Sequence, residues 1–246
     1  MIKVSIVTVC YNSEKTIERT LQSVLNQTYP NIEYIIVDGK SNDSTLDVIT
    51  GYQKKFEEKK IEYKYISEKD EGMYDAMNKG ISMASGDIIG ILNSDDWYEK
   101  DTLNIVFNAC KYHKADIYMG AIKLYNGNHV IIKYAKDRKY KTSRNFNHPA
   151  MFVTRDCYRS VGNYDKGNIH SDFGWYLRAI KRGMNLYVIG DVLTNYPIGG
   201  LGSKKSLSIT MARIKTKYDV YEKNDYSKLY FIECCMQELL KYFLMR

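Results

Sequence analysis

Two carboxylates stand side by side in Ile91-Leu92-Asn93-Ser94-Asp95-Asp96-Trp97-Tyr98, directly after an apolar run. Acids at the end of a buried strand are placed to hold a divalent cation. Mg²⁺ and Mn²⁺ take oxygen ligands, few of them from protein and the rest from phosphate and water. One or two acids suffice if a diphosphate completes the shell. A solvated turn or a helix cap would use the same residue types, so the rest of the chain has to decide. Asp38 closes a second apolar run, Glu33 to Val37, where a carboxylate can accept from a base N–H or a ribose hydroxyl. Tyr11 follows a third run, Ile2 to Val9, and offers its ring to a base. Gly72 allows backbone to approach a ligand closely. There is no P-loop and no G-x-G-x-x-G, so ATPase and dinucleotide readings are poor. No G-x-S-x-G elbow supports a hydrolase.

These side chains need elements to bring them together. Ile2 to Val9, Glu33 to Val37, Glu62 to Ile66 and Asp87 to Leu92 read as strands, the β-branched ones buried on both faces of a parallel sheet. Between them, Ile17, Leu21, Val24 and Leu25 recur at helical spacing behind a cap at Asn12 or Ser13. A second helix starts at Asn42 to Thr45. In a third, Met73, Ala76, Met77, Ile81 and Ala84 share an apolar face opposite Asp75, Asn78 and Ser82. Strand-helix alternation of this kind implies an α/β, Rossmann-like doubly wound sheet whose ligands lie beyond the strand C-termini. Tyr11-Asn12, Asp38-Gly39 and Asn93 to Asp96 should then share one edge.

The second half predicts a helix from Asp101 to near Tyr112, short strands across Asp116 to Tyr134 with a turn at Asn126-Gly127, and a strand over His148 to Val153. It continues with a helix over Ser171 to Lys181 capped by Gly183, a strand from Asn185 to Leu193, and a loop at Ile198 to Gly202. The tail from Lys204 reads as helical. Its apolar stripe (Leu229, Ile232, Met236, Leu239, Leu240, Phe243) is expected to pack on the domain, the alternative being a membrane-surface or dimer helix.

Composition sets the bounds. The 246 residues, 44 % hydrophobic, suit one sizeable domain with an appendage. The net charge of +7 is concentrated: between Lys111 and Asn147 nine Lys or Arg face two Asp. That excess is either a solvated face or a surface for anionic lipid heads or a diphosphate substrate; no nucleic-acid motif accompanies it. Five cysteines, none in a C-x-x-C pair, indicate neither zinc nor a disulfide framework. No secretory signal and no run of about 18 apolar residues is found. The expected location is cytoplasmic, with peripheral contact at the inner membrane face.

The runs VSIVTVCYNSEKTIERTLQSVLNQTYPNIEYIIVDGKSNDST and SEKDEGMYDAMNKGISMASGDIIGILNSDDWY resemble the first and central segments of glycosyltransferase family 2, of GT-A fold, in its bacterial surface-polysaccharide branch. The resemblance covers residues 2 to 200. It implies a GT-A domain over 1–203, with a nucleotide-sugar half at 1–98 and an acceptor half at 99–203, and a helical extension at 204–246. It implies inverting transfer of a sugar from a nucleotide-diphosphate sugar, a UDP-sugar being favoured, to a glycan or lipid-linked hydroxyl during capsule, exopolysaccharide or lipopolysaccharide synthesis. By position, Thr8, Tyr11, Asn12, Asp38, Asp70, Gly72, Asn78 and Asp96 are donor-binding residues. Asp95 matches the last acid of the metal motif, for Mn²⁺ or Mg²⁺. Asp172, in HSDFGWYLR, matches the catalytic base, and His148 lies where the family often places a histidine facing acceptor or metal.

The sequence departs from the family pattern at Asn93, where many relatives have the first acid of D-x-D, and at Lys40 and Met77, where a small residue and an arginine are common. Lys69 or Lys79 would have to replace that arginine's charge, although both read as ordinary surface lysines. These departures leave open a nucleotide-sugar-binding subunit without transferase activity. A sugar nucleotidyltransferase is disfavoured, because its Gly-rich, basic N-terminal loop is absent. A homodimer is compatible with the tail.

Overall fold

The computed structural model describes residues 1–198 and 206–244; the expected loop at 198–202 lies outside these except for Ile198. Val4–Cys10 (β1) and Ile32–Asp38 (β2) are buried at every position, as strands covered on both faces must be. Helix Ile17–Leu25 (α1) joins them. After β2 come Thr45–Gly51 (α2), Gln53–Glu58 (α3) and Glu62–Ser67 (β3), then Met73–Met83 (α4) and Ile88–Ile91 (β4). Strands β1 to β4 are parallel, in the order β3-β2-β1-β4. The chain winds outward from β1 to β3 and then crosses back to the other side of β1. The loops after β1 and β4 therefore diverge at the reversal point of the sheet, where open α/β sheets bind ligands.

The remaining strands make the sheet mixed. Trp97–Tyr98 (β5) and Thr102–Tyr112 (α5) precede a hairpin of Ile117–Asn126 (β6) and His129–Lys133 (β7). Met151–Thr154 (β8) runs antiparallel between β4 and β6. Then come Arg155–Val161 (α6), Ser171–Lys181 (α7) and Leu186–Pro197 (β9), which pairs with β6 in parallel and β5 antiparallel. Helices Leu207–Glu222 (α8) and Tyr230–Leu244 (α9) complete the described chain. Ile214, Val220, Tyr221 and Cys234 of this tail share one core with Val7, Ile89, Trp175 and Leu177.

Several local expectations are corrected. Asn12 and Ser13 do not cap α1, which starts at Ile17 without a side-chain cap; Asn12 takes φ 49° and bridges two loops instead. Asp101 also leaves α5 uncapped, because its carboxylate accepts from Thr28 Oγ1 at 2.7 Å. His148–Ala150 is a 3₁₀ turn that Pro149 enters readily, so the strand begins only at Met151. On α4 the faces are mixed: Met73 is exposed, while Asp75 and Asn78 are buried among polar partners. Helix α6 gave no clear periodic signal. Gly183, at φ 81°, closes α7 as foreseen, with Met184 N donating to Ala179 O at 3.1 Å. Of the expected tail stripe, Leu239 packs against the core, whereas Leu229, Ile232, Met236, Leu240 and Phe243 face solvent.

Candidate active site

The loops leaving β1 and β2 are tied to each other. Asn12 N donates to Ser41 Oγ at 2.8 Å, and Asn42 N donates to Asn12 Oδ1 at 2.8 Å. Asp38 sits beneath this crossing, fully buried, accepting from Ser41 N at 3.1 Å and from the hydroxyls of Ser41 and Ser67 at 2.5 and 2.6 Å. Its carboxylate thus organises the loop. Tyr11 remains 59 % exposed, with its ring free for stacking. A Cβ added at Gly39 would meet Asp70 Oδ2 at 3.1 Å and the Tyr11 ring at 3.4 Å. Glycine here lets Tyr11 and Asp70 converge on bare backbone. Lys79 holds Asp70 at 2.6 Å and Glu68 at 2.8 Å, and so is not the ordinary surface charge it reads as.

The acidic turn after β4 is held from behind by α1. Thr20 Oγ1 donates to Asp96 O at 2.7 Å, and Arg19 Nη2 donates to Asp95 O at 2.9 Å while stacking 3.6 Å from the Trp97 ring. Ser13 and Ser94 hydroxyls, 2.8 Å apart, join this turn to the loop after β1. Asp96 is fully buried, and among the described residues its carboxylate accepts only from Asn93 Nδ2, at 3.4 Å. Asp96 Oδ1 and Asn93 Oδ1 are both buried without a partner among the described residues. Burial pushes the Asp96 carboxyl well above its ordinary range, helped by the Asp95 charge; burial raises Asp95 too. Orphaned oxygens beside a strained pair of acids suit a cation. Among the described residues no three His, Cys, Asp or Glu side chains form a metal cage. The donor set fits Mn²⁺ or Mg²⁺ only if a ligand such as a diphosphate supplies further oxygens.

Asp172 lies in the first turn of α7 and accepts from Tyr74 Oη at 3.1 Å; the same hydroxyl is 3.0 Å from Ile169 O. Tyr74 belongs to α4, directly after the Asp70–Gly72 segment. The Tyr74 ring packs against buried Tyr164, which in turn meets the His148 ring edge-on. Burial lowers the His148 pKa and takes His170 down to about 4, so both imidazoles are neutral at pH 7. Burial raises the Tyr196 phenol to about 12, and the charges of Asp96, Asp95 and Asp172 all act on it in the same direction. Tyr196, on β9, thus feels the charge of both the acidic turn and Asp172.

The family model described as glycosyl transferase family 2 matches residues 5–182. The chain belongs to glycosyl transferase family 2. A poly(ribitol-phosphate) beta-glucosyltransferase of Bacillus spizizenii is 37 % identical over 127 residues, 51 % of this chain but 20 % of that protein. The chain thus spans only a fraction of the length of that relative. Among solved structures, TarS 1-349 of S. aureus in complex with UDP superposes with a TM-score of 0.72 at 18 % identity, covering 99 % of this chain and 72 % of the other. The mannosyltransferase PcManGT of Pyrobaculum calidifontis, in complex with GDP-Man and Mn²⁺, gives 0.70 at 16 % identity, covering 98 % and 70 %. The fold is GT-A.

Within this family 2 domain the expected site residues fall into two groups. Tyr11, Asn12, Asp70, Gly72, Asp95 and Asp172 lie at or beside the C-terminal edge of the sheet. Thr8 is fully buried, its hydroxyl 3.0 Å from Tyr34 Oη. Asn78 spends both ends of its amide on Tyr164, accepting from its N–H at 2.9 Å and donating to its carbonyl at 3.0 Å. Asp38 and Asp96 are interior carboxylates, the first saturated by protein donors and the second not. His148 is buried, its Nε2 3.4 Å from Tyr164 Oη. Met77 packs in the core, so α4 presents no cation at that position. Sequence reasoning missed Arg19, Thr20, Tyr74 and Tyr196. All act across element boundaries, and among 23 tyrosines no spacing marks the two that matter.

Proposed function

We propose that this chain transfers a sugar, with inversion, from a nucleotide-diphosphate sugar to a hydroxyl of a growing bacterial surface polymer. The observation that carries this reading is the buried acidic turn after β4, whose Asp96 Oδ1 and Asn93 Oδ1 lack a hydrogen-bond partner among the described residues. The named ligands of the family's solved relatives, UDP in one and GDP-Man with Mn²⁺ in another, support a nucleotide-sugar donor and a divalent cation. The printed name of the Bacillus relative supports a polymer acceptor. We favour a UDP-sugar.

In this mechanism Tyr11 flanks the base, and Asp38 sets the loop that presents Tyr11 and Gly39. Asp70 and the backbone at Gly72 line the sugar-diphosphate side. Thr8 and Asn78 support the site from beneath. Asp95, with Asn93 Oδ1 and Asp96, would hold Mn²⁺ or Mg²⁺, which supplies charge stabilisation for the departing diphosphate. Asp172 accepts the proton of the attacking hydroxyl, since an alcohol needs a carboxylate within hydrogen-bond reach to become a nucleophile at neutral pH. Tyr74 holds one Asp172 oxygen and leaves the other for the acceptor. Neutral His148 shapes the acceptor side.

Replacing Asp172 by Asn should lower the transfer rate about 10³-fold while leaving donor affinity unchanged. Undiminished transfer would remove Asp172 from the role of base. A binding subunit without chemistry is the second reading, favoured by Asn93 in place of an acid. Tight donor binding with neither transfer nor metal-dependent donor hydrolysis would establish it.

A further inference from the structure

The outward stripe of α9 is fixed in place. Leu229, Ile232, Met236, Leu240 and Phe243 follow one another at steps of three or four and are 49–72 % exposed. The opposite face is locked inward: Lys217 Nζ, itself buried, donates to Gln237 Oε1 at 2.8 Å and to Glu238 Oε1 at 2.7 Å. Rolling the helix to bury its stripe would break this interior ion pair, a costly event for charges out of water.

A cationic loop runs along the flank of the same helix. Lys141 N donates to Tyr230 Oη at 3.2 Å, Tyr221 Oη donates to Lys141 O at 3.0 Å, and Ser143 Oγ donates to Gln237 Oε1 at 3.0 Å. Between residues 134 and 144 it exposes Lys136, Arg138, Lys139 and Arg144. Its single acid, Asp137, is paired with Lys141. Tyr134 and Tyr140, 52 % and 70 % exposed, punctuate the loop. Among the described residues no helix is long and apolar enough to cross a membrane.

We propose that α9 and the 134–144 loop form a docking surface for an anionic phospholipid bilayer, with the helix lying in the interfacial plane. An apolar helical stripe enters the acyl boundary while flanking cations meet lipid phosphates and tyrosines sit at headgroup level. Charge complementarity selects this occupant over a second copy of the chain. A two-fold contact through the face would set cationic loops beside one another. The acids of α9, Glu233 and Glu238, are engaged with Gln237 and with the lysines 217 and 241, so they do not answer those loops.

The test is vesicle flotation of the full chain, with phosphatidylcholine alone or with about one third phosphatidylglycerol. Wild type should float with the anionic vesicles and release as salt rises. Arg138→Glu/Lys139→Glu and, separately, Ile232→Ser/Met236→Ser/Leu240→Ser should each weaken binding at least about tenfold. Both should keep the thermal midpoint and the solution donor hydrolysis of wild type, since none of these residues touches the site. Absence of wild-type flotation, or equal flotation with neutral vesicles, would overturn the proposal. So would a dimer, seen by light scattering, that the triple serine variant splits without changing vesicle binding.

Discussion

Glu33 and Asp96 are both fully buried carboxylates, placed at opposite edges of the same sheet. Glu33, near the start of β2, is met by Lys64 Nζ at 2.8 Å, Ser85 N and Oγ at 2.8 Å each, and the Ser5 hydroxyl. Burial pushes its pKa up, but these donors overcome it and bring the group to about 2. The Asp96 carboxylate, beyond the end of β4, has among the described residues one long hydrogen bond and an orphaned oxygen, and burial drives its pKa upward. The same chemical group thus serves two ends. At the strand N-termini it is satisfied and ties β1, β2, β3 and the β4 entry together. At the strand C-termini it is left hungry, which is the condition for binding a cation and a substrate.

The two carboxylates can be told apart by mutation. Glu33→Gln should cost about 2 kcal/mol in urea unfolding, because it weakens the charge-assisted hydrogen bonds from Lys64, Ser5 and Ser85, and donor binding should be untouched. Asp96→Asn should do the reverse, stabilising the free protein at neutral pH while weakening cation-supported donor binding. The signs of the pH dependence follow. Glu33, with its folded pKa lowered, contributes stability above its ordinary value of 4.5 that is lost as pH falls toward about 2. Asp96, with its folded pKa raised, loses stability as pH rises from its ordinary 3.8 toward the folded value. Urea midpoints of the two variants against wild type across the acid range would therefore diverge in opposite directions. Parallel curves would erase the distinction. The smallest effect belongs to Tyr74→Phe, which removes one hydrogen bond to Asp172. It should lower kcat about fivefold with KM unchanged; a changed KM alone would reassign Tyr74 to the donor side.

The sheet and the location of its ligand edge were legible because β1, β2 and β4 are almost continuously apolar runs ending in polar loops. Asp95, Asp172, Tyr11 and Gly72 could be placed from strand and helix ends together with the family likeness. Other features were hidden because they are tertiary. The partners of Asp38 and Asn78 lie 29 and 86 residues away or fold back locally, so their saturation is invisible along the chain. Most of the α9 stripe misled for a related reason: Lys217 and Glu238, of a kind rarely buried, pair in the interior and hold that face of the helix inward. Arg19 and Thr20 sit on α1 with no local sign that they hold a turn 76 residues later.

The central claim is that the Asn93–Asp96 turn, through Asp95 and a divalent cation, holds the diphosphate of a nucleotide sugar. Calorimetry of wild type and Asp95→Ala against UDP- and GDP-sugars, with Mn²⁺ and with chelator, addresses it directly. Wild type should bind at least one UDP-sugar only with Mn²⁺, and Asp95→Ala should lose that gain while keeping its fold. Equal donor affinity in the two proteins, with and without Mn²⁺, would contradict the account.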